Sequence, residues 1–266
     1  MVLLGNVNTS RIAIIIPACN EEACLGAVLE ELLGLIDPEK FLVAVGVNHS
    51  LDRTAEIARR YPVLVAETSA RGYGHGCQAA IDAVNEAAPE VSAYIFMAGD
   101  GASDPGDLSK LAAAYKAGNA MVLGARTGRR SNWAAMTLPH LLANFSLGLW
   151  CGVLTGRPFR DLGPLRLIER RIFEAIAPQE MTFGWTIEPQ VAAVMLGAKI
   201  TEVPAHERRR IAGEQKVSGV TWQRSLTIGA RIFVAGWRAR RRFAARRAEG
   251  AVRTAPELVA QSQAGG

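Results

Sequence analysis

The chain has 266 residues, of which 49% are apolar, 21% charged and 6% aromatic, and it carries 26 Gly and 12 Pro. This composition is typical of a globular protein and excludes a fibrous or disordered chain. No uninterrupted run of about 18 apolar residues is present, so we expect no transmembrane helix. Residues 1–10 lack the basic region and apolar core of a signal peptide, which predicts a cytoplasmic location.

The formal net charge of +5 is unevenly distributed along the chain. Residues 208–253 contain 13 Arg or Lys and two Glu, a local charge of +11, so the other residues carry a charge of −6. A basic C-terminal segment on an acidic body predicts an anionic partner, either nucleic acid or a membrane surface.

The cysteines lack the paired spacing of a metal site or of a disulfide framework. We therefore expect all of them to be reduced and buried. They are Cys19, Cys24, Cys77 and Cys151.

Strand and helix patterns alternate in the first half of the chain. Residues 11–17 form a β-branched apolar run that ends in proline, as in a buried strand of a parallel sheet. In the helix that follows, Asn20 is the predicted N-cap, and Glu21 and Glu22 occupy the first turn. The alternation predicts a parallel α/β sheet with helices on both faces and a ligand site at the carboxyl ends of the strands. The remaining predicted elements are strands at 42–47, 63–66, 93–98 and 120–124 and helices at 52–61, 75–88 and 105–117.

The alternation stops after residue 126. Residues 136–156 are uncharged and rich in large apolar side chains, but Pro139, His140 and Asn144 interrupt them, which predicts a partly buried or interfacial helix. We expect one catalytic domain at 1–219, a basic amphipathic helix at 220–248 and a disordered tail at 249–266. Within the domain, the later predicted elements are strands at 165–168 and 198–204 and a helix at 187–196.

Polar residues follow the predicted strands at 17–22, 48–52 and 99–105. A carboxylate on a glycine-flanked turn at the carboxyl end of a strand can reach a divalent cation or a sugar hydroxyl. We therefore predict that Asp100 is a cation ligand and that Asp104 caps the next helix.

Six short motifs occur in a fixed order. They are P-A-C-N-E-E at 17–22, R-G-Y-G at 71–74, G-A-R at 124–126, D-L-G-P-L-R at 161–166, F-G-W-T-I-E at 183–188 and E-R-R-R-I-A-G-E-Q-K-V-S-G at 207–219. With these motifs the chain resembles the family 2 glycosyltransferases of the GT-A fold, specifically the group similar to dolichyl-phosphate mannose synthase. The resemblance implies a Rossmann-like, mostly parallel sheet. It also implies transfer of a sugar, with inversion, from a nucleotide-sugar donor to a lipid-linked acceptor such as polyprenyl phosphate.

The resemblance also implies roles for individual residues. Asp100 is the implied ligand of Mg²⁺ or Mn²⁺, and several basic residues are implied to bind phosphate oxygens, which arginine can bind bidentately. The implied donor-binding residues are Pro17, Cys19, Glu21, Asn48, Arg71, Gly72, Gly99 and Asp100, and the implied phosphate-binding residues are Arg126, Arg209, Arg210 and Lys216, with Arg208 as a further candidate.

Asp161 and Glu188 are the implied catalytic carboxylates. An alcohol acceptor needs a general base, whereas a lipid phosphate is already anionic, so these carboxylates would then hold sugar hydroxyls or position the acceptor. The alternative for each is a buried carboxylate that is bonded to backbone amides or to an arginine such as Arg166.

Two positions depart from the family pattern. Val47 stands where relatives have an aspartate that reads the nucleotide base, and the metal-binding D-x-D motif is Ala98-Gly99-Asp100 in this chain. One carboxylate holds Mg²⁺ less tightly than two, so we expect a weak metal site or its replacement by arginines. An inactive scaffold or nucleotide-sugar-binding protein is therefore an alternative function. A nucleotidyltransferase is a further alternative, although the chain lacks a glycine-rich nucleotide signature near the first strand.

The basic segment is predicted to form an amphipathic helix. Basic residues beside Trp and Phe favour an anionic membrane at its cytoplasmic face over nucleic acid, for which no motif is present. The alternative is a helix that packs on the body with its arginines in solvent. The predicted aromatic and apolar face carries Trp222, Leu226, Phe233 and Trp237, and the predicted basic face carries Arg224, Arg231 and Arg238.

Overall fold

A computed structural model describes residues 11–127, 132, 138–212 and 222–248. Its sheet has seven strands in the order β3-β2-β1-β4-β6-β5-β7. β6 is antiparallel to its neighbours β4 and β5, and the other pairs are parallel. The predicted mostly parallel α/β sheet is therefore confirmed. The strands are β1 (Ile12–Ala18), β2 (Phe41–Asn48), β3 (Leu64–Thr68), β4 (Ala93–Phe96), β5 (Met121–Ala125), β6 (Arg166–Glu169) and β7 (Ile200–Pro204).

Eight described helices cover the sheet. They are α1 (Leu25–Leu35), α2 (Thr54–Ala58), α3 (Tyr73–Ala87), α4 (Leu108–Lys116), α5 (Leu138–Thr155), α6 (Arg170–Ile176), α7 (Ile187–Met195) and α8 (Trp222–Ala248). Side chains of β1 alternate between two cores, since Ile14 belongs to a cluster with residues of α1 and α4 and Ile15 to a cluster with residues of α3 and α7. The prediction of helices on both faces is therefore correct. No described helix combines the length and hydropathy needed to cross a membrane.

The β1–α1 connection differs from its prediction. α1 begins at Leu25 and Asn20 is not its N-cap. Asn20 instead adopts a left-handed conformation with φ of +53°. Its Oδ1 accepts a hydrogen bond of 2.7 Å from the Leu51 amide, so a contact between two loops takes the place of the local cap.

Two other local expectations need correction. Helix α6 was not predicted; it has seven residues and ends at Ala177, whose φ is +44°. A helix this short carries too few apolar residues to show a helical period. All four cysteines are free, as expected, but Cys19 is only partly buried.

α8 packs on the body of the protein. Its buried stripe is Ala235, Ala239 and Phe243. The Trp150 indole of α5 donates a 3.1 Å hydrogen bond to the Phe233 carbonyl, and the two rings lie 5.4 Å apart. Trp237 is 46% exposed. Phe233 and Trp237 therefore do not share one environment, as the predicted aromatic face would require. The side chains of Trp222, Arg224 and Leu226, the boundary at 219 and the predicted tail at 249–266 lie outside the described residues.

Candidate active site

The loops that follow β1, β2 and β4 meet at the carboxyl edge of the sheet. A Cβ atom on Gly76 would lie 2.8 Å from Asn48 Oδ1 and 3.1 Å from Pro17 Cβ. A Cβ atom on Gly99 would lie 3.4 Å from the Pro17 carbonyl oxygen. The lack of side chains on the two glycines therefore brings Pro17, Asn48 and Gly99, three predicted donor-binding residues, close together.

Hydrogen bonds fasten the loop after β1 to the loop after β2. The Glu21 amide donates to Thr54 Oγ1 at 2.8 Å, and the Glu22 amide donates to Asp52 Oδ2 at 3.0 Å. Burial alone would raise the pKa of Asp52, but hydrogen bonds from Thr54 and Glu22 lower it. Asp52 is therefore held as an anion that orders both loops. Cys19 makes a weak contact with this region, with its Sγ 3.8 Å from the His49 carbonyl.

Glu21 and Asp100 converge on a single guanidinium. Arg210 Nη2 lies 2.7 Å from Glu21 Oε2, and Arg210 Nη1 lies 2.9 Å from Asp100 Oδ2. The other carboxylate oxygen of Asp100 accepts a 3.0 Å hydrogen bond from the Ala102 amide. The Cys24 thiol donates to Glu21 Oε2 at 3.0 Å, and its burial, reinforced by Glu21, raises the pKa of Cys24 to about 12. The two carboxylates therefore define one cation-binding position.

Backbone pairing places Arg210 there. The Arg208 amide donates to the Ala102 carbonyl at 2.8 Å, and the Ile211 amide donates to the Asp100 carbonyl at 3.2 Å. Gly101 has φ of +80°, and a Cβ atom on it would lie 2.6 Å from the Ile211 side chain. Any other residue at this position would be strained by this φ and would displace the Ile211 side chain. Residues 207–211, which we name the arginine segment, therefore run along the loop that carries Asp100.

Arg126 and Asp161 form a buried, bidentate ion pair. Arg126 Nε and Nη2 each donate to Asp161 at 2.8 Å, and the Arg126 amide donates to the same carboxylate. Arg126 Nη1 also lies 3.1 Å from Glu207 Oε1. Burial opposes the charge of Arg126, but the hydrogen bonds and charge of Asp161 raise its pKa above the ordinary value. The guanidinium that we predicted to bind phosphate is thus engaged by two carboxylates.

Glu188 is also buried and paired. Its Oε2 accepts hydrogen bonds from the amides of Gln179 and Glu180 at 2.9 and 2.7 Å. Arg242 of α8 lies 2.8 Å from its Oε1. Both predicted catalytic carboxylates therefore have the geometry of the alternative interpretation, although their partners are Arg126 and Arg242.

Arg166, the arginine suggested as a partner for these carboxylates, binds backbone instead. Its guanidinium donates to the carbonyls of Gly163 and Thr186. Burial lowers the pKa of Arg166 to about 10. This arginine fastens the loop after Asp161 to the start of α7, which is a structural contribution to the site.

The remaining predicted site residues differ in their partners and in their exposure. Arg208 forms a bidentate ion pair with Glu31 at 2.8 and 2.9 Å, while the side chains of Arg209 and Arg71 are exposed. Gly72 has φ of +146°, and a Cβ atom there would lie 2.4 Å from the Met181 carbonyl. Lys216 lies outside the described residues. Among the predicted phosphate-binding residues that the structure describes, Arg210 alone contacts Asp100.

A second polar group follows Asp100. Asp104 accepts a 2.9 Å hydrogen bond from the Gly106 amide, which confirms its predicted capping role. Asp104, Asp107 and His206 place possible metal-ligand atoms within 4.8 Å of one another. Burial would raise the pKa of Asp107, but hydrogen bonds from Lys110 and His206 lower it. This group was not predicted, because Asp107 and His206 are 99 positions apart and no local pattern links them.

Comparisons with known proteins agree with this architecture. A sequence model described as "Glycosyl transferase family 2" matches residues 13–176. An uncharacterized glycosyltransferase of Mycobacterium tuberculosis is 29% identical over 210 residues, covering 78% of this chain and 90% of that protein. A dolichyl-phosphate hexose transferase of Haloferax volcanii is 29% identical over 209 residues, covering 77% and 86% of the two chains.

Solved structures show the same fold. Glucosyl-3-phosphoglycerate synthase from Mycobacterium tuberculosis, in complex with UDP, superposes with a TM-score of 0.62 and 15% identity, covering 87% of this chain and 80% of that one. Another structure of that enzyme contains Mn²⁺, UDP-glucose and glycerol 3-phosphate and has a TM-score of 0.60. These matches confirm the predicted GT-A fold. The chain belongs to glycosyl transferase family 2 and is a glycosyltransferase.

Proposed function

We propose that this enzyme transfers a sugar, with inversion, from a nucleotide-sugar donor to a lipid-linked acceptor such as polyprenyl phosphate at the cytoplasmic surface of an anionic membrane. The observation that carries this proposal is an exposed apolar face on α5 beside the arginine-rich α8. The dolichyl-phosphate hexose transferase among the relatives supports the class of acceptor.

The apolar face of α5 consists of four large side chains with a helical spacing. Leu142, Phe145, Leu149 and Val153 are 58%, 69%, 55% and 67% exposed. Their separations of three, four and four residues place them on one side of the helix. Four such residues in a row on a helix surface are typical of an interaction site, because soluble surfaces seldom expose contiguous apolar patches.

α8 supplies positive charge next to this face. It contacts α5 through Trp150 and Phe233, and its outer surface exposes Arg238, Arg240 and Arg241. The Arg241 guanidinium lies 4.8 Å from the centre of the Trp237 ring. Arginine and tryptophan beside an apolar helix face match the anionic headgroup region of a bilayer, into which the apolar side chains insert.

The pairing of Asp161 and Glu188 favours an anionic acceptor. Each carboxylate is buried in an ion pair with an arginine, at 2.8 Å in both cases. A general base must accept a proton from the attacking group, whereas the oxygen of a lipid phosphate is already anionic and needs no base. The geometry therefore supports roles for Asp161 and Glu188 in holding the site together and in positioning the acceptor.

Glu21 and Asp100 form the part of the site that would bind the donor and its cation. Carboxylate oxygens from two different strand ends already converge on one cationic group, so this pair fits Mg²⁺ or Mn²⁺ better than the Asp104 group, whose members bind one another. A divalent cation there would neutralise charge on the nucleoside diphosphate leaving group. Pro17, Asn48 and Gly99 form the adjoining wall for the nucleotide.

We expect the wild-type protein to sediment with vesicles that contain phosphatidylglycerol and to be released at high salt, because salt screens the arginine charges. The double variant Phe145→Glu with Leu149→Glu should lose this binding, since burying carboxylates in the bilayer is costly. The control is Leu51→Glu, at an 87% exposed leucine in the loop between β2 and α2, which should bind vesicles like the wild type.

Transfer assays then identify the acceptor. Incorporation of labelled sugar into polyprenyl phosphate in these vesicles supports the proposal. Failure of the wild type to bind vesicles, together with transfer only to a soluble phosphorylated acceptor, would contradict it and would favour the chemistry that the structural neighbours suggest.

A further inference from the structure

Arg210 occupies the position at which Glu21 and Asp100 converge. We infer that Arg210 is a built-in counter-ion that competes with a divalent cation for these carboxylates and, once displaced, binds the diphosphate of the donor. The inference rests on the proposed donor site, and it assigns to Arg210 two alternating partners.

The charge of the cluster favours such an exchange. Glu21, Asp100 and Arg210 are mostly buried, and together their formal charges sum to −1. A nucleoside diphosphate would bring further negative charge into a site where water screens charges poorly. Replacing Arg210 by a divalent cation at the carboxylates makes that pair neutral and leaves one free positive charge for the phosphates.

The same oxygen atoms serve both cations. Arg210 binds Oε2 of Glu21 and Oδ2 of Asp100, while the Ala102 amide already binds Oδ1 of Asp100. Ala98 offers no further carboxylate. A metal ion therefore competes directly with the guanidinium.

Only the side chain of Arg210 needs to move. Backbone hydrogen bonds from Arg208 and Ile211 hold the arginine segment on the Asp100 loop, and Glu31 holds the Arg208 guanidinium. The released guanidinium of Arg210 stays beside the site, where it can bind phosphate oxygens bidentately.

Calorimetric titration of the full chain with MnCl₂ alone tests the competition. Arg210→Met should bind Mn²⁺ about tenfold more tightly than the wild type, because the competing cation is gone. In the presence of saturating Mn²⁺, the same variant should bind UDP about tenfold more weakly, because the phosphate contact is lost. The control is Arg170→Met, which should leave both affinities unchanged, since Arg170 pairs with Glu174 on helix α6, outside the site.

If thermal melting shows that Arg210→Met does not fold, Arg210→Lys replaces it in the titration with Mn²⁺. Lysine has one ammonium group in place of the guanidinium fork and cannot hold both carboxylates as well. It should therefore bind Mn²⁺ about threefold more tightly than the wild type. Unchanged or weaker Mn²⁺ binding in the folded variant would overturn the inference. Vesicle sedimentation in the absence of Mn²⁺ shows separately whether the proposed membrane function fails.

Discussion

Asp161→Asn is expected to lower the free energy of unfolding by about 3–5 kcal/mol, the range for breaking a buried ion pair by removing one charge. Asp161 and Arg126 are almost completely buried and share two side-chain hydrogen bonds of 2.8 Å. The variant leaves the Arg126 guanidinium buried with Glu207 as its remaining partner. Burial already raises the pKa of Glu207, so that carboxylate is a poor substitute.

Urea unfolding, followed by far-ultraviolet circular dichroism, measures this loss. The control is Asp37→Asn, which breaks a solvent-exposed pair with Lys40 and should leave the transition midpoint nearly unchanged. A variant Asp161→Asn that keeps its stability but loses transferase activity would contradict the structural role. It would indicate that Asp161 acts on the substrate, as the resemblance implies.

The strands and longer helices could be predicted because their signals are local. The apolar run at 11–17 corresponds to β1, all seven residues of which are buried, and the helix predicted after it corresponds to α1. Asn20 is a position at which the local signal predicts the wrong contact. Its side chain would cap a helix in isolation, but the loop after β2 offers it a partner from a distant part of the chain.

The ion pairs of the site could not be predicted for the same reason. The motifs bring the correct charged residues to the carboxyl edge of the sheet, but they do not say which charges pair. Arg210 reaches Glu21 across 189 positions, and Arg208 reaches Glu31 across 177. Neighbouring arginines therefore have unrelated partners, and their different roles follow from the pairing of the arginine segment with the Asp100 loop.

Asp100→Asn is the substitution with the largest expected effect on donor binding. It removes one of the two carboxylates that converge on the cation position, and Ala98 provides no second carboxylate in the same loop. We expect the affinity for the nucleotide-sugar donor in the presence of Mn²⁺ to fall by about a hundredfold or more, because a divalent cation in proteins depends on anionic oxygen ligands. Calorimetric titration with and without Mn²⁺ measures the change.

Asp104→Asn is the matched control, four residues further along the same loop. Asp104 caps the turn at Pro105–Asp107 through the Gly106 amide, and asparagine retains a side-chain oxygen that can accept this bond. Its cost is therefore at most about 1 kcal/mol of stability, with donor affinity kept. Equal donor affinity in Asp100→Asn and the wild type would contradict the assignment of the cation to Glu21 and Asp100. A loss confined to Asp104→Asn would instead assign the cation to the group formed by Asp104, Asp107 and His206.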